Sequence, residues 1–105
     1  MTIVRKRARA RRDLVEHYVY LAENAGIEVA DSFLRHLAES ISEIGRNPAI
    51  GSSVISESPR LQGLRKWPVR DFENVLIFYL LRNSDVSIIR VLHGAQDWWS
   101  LLGIV

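Results

Sequence analysis

The sequence predicts an α+β domain in which a two-helix hairpin packs on a four-stranded antiparallel or mixed sheet. The order is β-α-α-β-β-β, followed by a short C-terminal tail or helical turn. Three observations carry this prediction. Ala30, Phe33, Leu34, Leu37, Ile41 and Ile44 recur at relative positions 0, 3, 4, 7, 11 and 14, one continuous apolar helix face. Residues 75–81 are apolar on both faces, the pattern of a strand in the middle of a sheet. Residues 86–93 are rich in β-branched side chains and follow the turn signal Arg82-Asn83-Ser84-Asp85, so they return antiparallel beside that central strand.

Taken in order, Ile3 and Val4 sit in a short stretch, residues 2–6, that can be a strand only if a later strand pairs with it. From Ala10 the pattern turns helical, with Leu14, Tyr18 and Leu21 at i, i+4 and i+7 and with Val15, Ala22 and Ala25 widening the stripe. Gly26 is the expected stop, in the left-handed conformation. The second helix has Glu28 and Asp31 near its start and Arg46 near its end, as the helix dipole favours, and Asn47-Pro48 closes it. Residues 49–63, with Gly51, four serines, Pro59 and Gly63, read as one long irregular connection. Residues 64–69 read as a strand whose Pro68 implies an edge or a bulge.

The 105 residues fit one domain, 1–105, and 48% apolar content closes a core without staples. There is no cysteine, which removes thiolate zinc sites, disulfides and cysteine nucleophiles and suits a reducing cytoplasm. His17, His36 and His93 are not spaced to share a metal along a helix, so neither a metal nor any other cofactor is expected. No apolar run is long enough to span a bilayer, and a soluble cytoplasmic protein without membrane contact is expected. Charge is uneven. Arg5, Lys6, Arg7, Arg9, Arg11 and Arg12 are six of the fourteen basic residues, leaving eight against twelve acids in the rest of the chain.

Several of these residues are able to carry chemistry. Arg9, Arg11 and Arg12 lie where a helix prefers negative charge, so the cluster reads either as a site for an acidic partner or as a solvated basic surface. Arg60, Arg65, Lys66 and Arg70, joined by Arg90 and His93 of the last strand, would hold a phosphate or carboxylate if they converged on one face. Solvated or acid-paired arginines are the competing reading. His93 is a general acid or base by its chemistry, or else a strand-end histidine bonded to backbone. Trp98 and Trp99, then Leu101, Leu102, Ile104 and Val105, form an apolar tail in which one indole is a candidate for a partner surface.

The order and spacing of several fragments resemble the ParE toxins of the RelE-like superfamily. These are Ala10-Arg11-Arg12-Asp13-Leu14, then Ala30 with Phe33 and Leu37, and Pro48 with Gly51. Leu64-Arg65, residues 75–79 and Ile89-Arg90-Val91-Leu92-His93-Gly94-Ala95 complete them. The resemblance covers nearly the whole chain. It implies a RelE/ParE-like fold, the toxin role in a type II toxin-antitoxin pair, inhibition of DNA gyrase and no enzymatic reaction. It also implies a ParD-like antitoxin, with two toxins on an antitoxin dimer that binds operator DNA, so that this chain meets DNA only indirectly. Target-binding residues implied are Arg65, Arg90, His93, Gln96, Asp97, Trp98 and Trp99. The antitoxin is expected on a groove beside the first helix, at Arg9, Arg12, Leu14, Tyr18 and Leu21. One departure is Gln96, where the family often has arginine before the acid, and it puts toxicity in question. A RelE-like ribosome-dependent ribonuclease is the rival reading, with Arg65, Lys66, Arg90 and His93 as its catalytic set. It lacks the tyrosine that many such nucleases carry beyond the last strand, where Trp98 and Trp99 cannot transfer a proton. A non-toxic antitoxin-binding module acting in operator autoregulation is the third.

Overall fold

The computed structural model describes residues 2–102. Its elements are β1 (Val4–Lys6), α1 (Ala8–Ala25), α2 (Ile27–Arg46), β2 (Ser52–Ser53), β3 (Arg65–Val69), β4 (Phe72–Arg82), β5 (Asp85–His93) and a single helical turn, α3 (Trp98–Leu101). The sheet has five strands in the order β1-β5-β4-β3-β2. β1 runs parallel to β5, and the other neighbours are antiparallel. The expected order of elements and the mixed sheet are both present. The strand that sequence missed is β2, only two residues long and inside the connection read as irregular. Ser52 and Ser53 carry no apolar alternation, so only their pairing with Lys66 and Arg65 makes them a strand.

β4 is the middle strand, which explains its two apolar faces. Val75, Ile77 and Tyr79 face the helices with Phe33, Leu37 and Ile44. Phe78 and Leu80 face the other way with Leu61, Leu64, Ile89 and Leu92. The β4–β5 turn is the two residues Asn83 and Ser84, both at positive φ (51° and 72°), the backbone sign that matches strand twist in a tight hairpin. Pro68 marks the expected bulge, between Pro68 and Val69. Gly26 does separate the helices, with φ 101° and ψ 156° in place of the left-handed helical conformation. That extended mirror region is essentially confined to glycine, and it lets α2 begin at the very next residue. At the far corner the buried Ser40 hydroxyl donates to the His36 carbonyl at 2.8 Å and accepts the Arg70 N–H at 2.9 Å, tying α2 to the β3–β4 turn. Among the described residues no helix is long and apolar enough to cross a membrane.

Tyr79, fully buried, organises the segment after α2. Its hydroxyl donates to the Pro48 carbonyl at 2.6 Å and accepts the Gly51 N–H at 2.9 Å. Burial raises its pKa above the ordinary 10.0, opposed in part by the Gly51 hydrogen bond and the Arg65 charge. The folded state therefore favours the neutral phenol. The stability this contributes is fully present below the ordinary value and is lost as pH rises past about 10 through the raised pKa. Urea midpoints measured across that range are expected to fall in the wild type and to fall less steeply in Tyr79→Phe. Identical alkaline limbs would assign the loss to other groups.

Candidate functional site

Sequence and topology leave one strand edge short of a neighbour. β1 accompanies β5 only as far as Lys6 opposite Ile88, where the Arg7 N–H donates to the Ile88 carbonyl at 2.9 Å and the chain turns into α1. Past that point α1 supplies the missing partners. Asp13 Oδ2 accepts the Val91 N–H at 3.0 Å, and His17 Nε2 meets the Val91 carbonyl at 2.9 Å. A carbonyl only accepts, so Nε2 carries the proton. The two side chains are one helical turn apart and share a face, so together they replace one rung of a sheet ladder.

Asp13 is the hub. Its side chain is 3% exposed and takes a two-point contact from Arg90, Nε to Oδ2 at 2.7 Å and Nη2 to Oδ1 at 3.0 Å. Arg9 Nη1 lies 3.2 Å from Oδ1 and 3.4 Å from Glu16. Arg90 also donates Nη1 to the Leu101 carbonyl at 3.2 Å, so one guanidinium joins α1, β5 and α3. A bulge makes this possible. Phe78 faces Arg90 but Tyr79 faces Ile88, so Ile89 is an extra residue.

The strand end is closed by Gln96. Its side-chain oxygen accepts the His93 N–H at 2.7 Å, and its own N–H returns to the His93 carbonyl at 3.0 Å. His93 Nδ1 accepts the Ala95 N–H at 3.1 Å, which leaves the ring proton on Nε2. The backbone-bonded reading of this histidine is thus the geometry found. Asp97 accepts the Ser100 hydroxyl at 2.8 Å. Trp98 stacks obliquely on Phe78 with centroids 5.2 Å apart, and Lys66 Nζ lies 5.3 Å from its ring centroid. The side chain of Trp99, and Ile104 and Val105 altogether, lie outside the described residues.

The basic residues do not gather on one face. Arg65 turns to the loop after α2 and donates to the Gly51 carbonyl at 2.5 Å and the Ala49 carbonyl at 3.3 Å. Lys66 and Arg90 flank Phe78 on a single rung across β3, β4 and β5. Arg70 pairs with Glu43 at 3.4 Å, and the Arg60 carbonyl accepts from Arg82. No cluster of three or more His, Asp or Glu suited to a metal is present among the described residues. Two adjoining clefts, about 410 and 480 Å³, meet at His17, Tyr20 and His93, and Leu21 lines the smaller. A third, about 200 Å³ and wholly apolar, lies between the helices and is lined by Leu14, Val15, Tyr18 and Leu34. Arg12 is exposed nearby, and the Tyr18 hydroxyl donates to Asp31 at 2.9 Å.

Sequence reasoning missed Asp13 and His17. The signal was there: Ala10, Asp13, Leu14, His17 and Leu21 follow one helical stripe, and two polar side chains on a face turned to the sheet require partners there.

Comparison with known proteins agrees with this architecture. A solved chain from the chromosomal ParDE toxin-antitoxin system of P. aeruginosa superposes with a TM-score of 0.72 at 18% identity, over 89% of this chain and 96% of that one. A chain of the YoeB-YefM complex from Staphylococcus aureus superposes at 0.52 with 14% identity, over 89% and 97%. These likenesses speak for the fold. No curated protein matches by sequence. The model of the ParE toxin of the type II toxin-antitoxin system, parDE, matches residues 4–98, from β1 through the Arg90 network to Trp98, and the chain belongs to that family.

Proposed function

We propose that this toxin inhibits DNA gyrase by binding, without catalysing a reaction, and is neutralised by a ParD-like antitoxin with two toxins on an antitoxin dimer. The observation that carries this reading is the engagement of Arg90. Cleavage of a phosphodiester needs a base, an acid and a free cation around one phosphate. Here the Arg90 guanidinium is divided between Asp13 and the Leu101 carbonyl, and Arg65 is bonded to the carbonyls of residues 49 and 51. His93 holds the turn after its strand. What remains presented is the corner after β5, where Gln96 and Asp97 are exposed and Trp98 is half-buried. We assign target recognition to that corner. The antitoxin is assigned to the apolar cleft between α1 and α2, at Leu14 and Tyr18, with acidic side chains reaching Arg12.

The purified toxin is expected to block supercoiling, or to trap cleaved DNA with gyrase, at concentrations that leave ribosome-bound message intact. Adding the antitoxin is expected to restore supercoiling. Message cleavage without an effect on gyrase overturns the assignment and returns Arg65, Lys66, Arg90 and His93 to catalysis.

A further inference from the structure

The solvent side of α1 carries a second seam that nothing inside the chain explains. Ala8, Arg12, Val15, Val19 and Ala22 recur in steps of four and three residues, the period of a helix that packs against another helix. They lie opposite the face that holds Ala10, Asp13 and His17 to the sheet. Val15 is 62% exposed and Val19 47%. A helix buried on one face normally carries polar residues on the other. Valine is also a poorer helix former than leucine, lysine or glutamate, so these positions weaken an isolated α1.

We propose that a second copy of this chain covers this seam, the two α1 helices running antiparallel about a two-fold axis near residue 17. The charge order along the helix selects this occupant. Arg11 and Arg12 are exposed near the N-terminal end, whose first turn holds no acid, and Glu23 is exposed near the C-terminal end. Antiparallel pairing about residue 17 sets Val15 against Val19 of the second copy and Arg12 beside its Glu23. It also sets the positive end of each helix dipole against the negative end of the other. The positive charge of Arg12 is then met by Glu23 of the second copy, and the reverse. An acidic peptide lying along the seam would meet the arginines but then run against Glu16 and Glu23. Ala8 and Ala22 leave room for close approach at both ends. The seam shares Arg12 and Val15 with the surface assigned to the antitoxin, and Ala8, Val19 and Ala22 lie outside it.

Sedimentation equilibrium of the isolated full chain tests this. The mean mass is expected to climb from 12.0 kDa toward twice that value with concentration. Arg12→Glu and Glu23→Arg should each weaken association about tenfold or more through like-charge contacts. The double variant should recover it, because exchanging both signs rebuilds both contacts. Circular dichroism checks that all three fold. The chain lacks cysteine, so Val15→Cys mixed with Val19→Cys should give the mixed disulfide in preference to either symmetric one. A constant mass up to millimolar concentration overturns the proposal, as does association that the single exchanges leave unchanged or the double exchange fails to rescue. Weakened antitoxin binding in the Val19 variant with no self-association would assign the seam to the antitoxin and also overturn it.

Discussion

Asp13→Ala is expected to destabilise the fold by about 3–5 kcal/mol, the usual scale for removing one partner of a buried ion pair. The loss has three parts. Arg90, 12% exposed, keeps its charge without a counter-ion, the Val91 N–H loses its acceptor, and Arg9 loses one of its two acids. Asp13→Asn keeps the shape and one oxygen, so it should recover the Val91 contact and only part of the loss. Replacing both members, Asp13→Leu with Arg90→Met, should cost less than Asp13→Ala alone, since no uncompensated charge is left. Urea denaturation of the three variants beside the wild type measures this. A loss below about 1 kcal/mol in Asp13→Ala would show the pair to be no stronger than a surface ion pair.

The second large effect is expected at Gly51. A Cβ there would lie 2.6 Å from the Tyr79 hydroxyl oxygen, 2.8 Å from Tyr79 Cε1 and 2.8 Å from the Lys66 carbonyl. None of these can move cheaply. The hydroxyl is held by Pro48 and Gly51 itself, and Lys66 is locked between β2 and β4. Overpacking combined with a disturbed buried hydrogen bond places Gly51→Ala at about 2–4 kcal/mol. Because the hydroxyl is the nearest obstacle, the same substitution should cost less in a Tyr79→Phe background. Equal losses in both backgrounds would place the clash on the Lys66 carbonyl and the ring carbon Cε1, which phenylalanine keeps.

Most of the architecture was legible because long apolar periodicities report which side of an element is buried. The α2 stripe and the two-faced run of β4 required no tertiary information. β2 was not legible, since two serines have no pattern of their own. The bulge at Ile89 was equally silent, because a single extra residue changes the alternation without changing composition. The Arg90–Asp13 contact joins residues 77 positions apart, which no local spacing encodes. Asp13 stood in the sequence only as one member of the fragment Ala10-Arg11-Arg12-Asp13-Leu14, whereas its place on the inward stripe was the better guide. Gln96, read as a lost cation, closes the end of β5 in this chain.

The pairing of the first strand with the last, Val4 against Val86, has a consequence for synthesis. β1 and the sheet-facing side of α1 leave the ribosome long before β5 exists. At about 5–20 residues per second, Asp13 waits roughly 4–15 s for Val91 and Arg90 to be made. Throughout that interval the nascent chain has a lone strand, a carboxylate with Arg9 but not Arg90 beside it, and an uncovered helix face. Closure of the sheet depends on contacts remote in sequence and therefore waits for β5. A chain that stops short of β5 lacks the strand that joins β1 to the rest of the sheet, and any activity that needs the corner after β5 waits until that corner has been made.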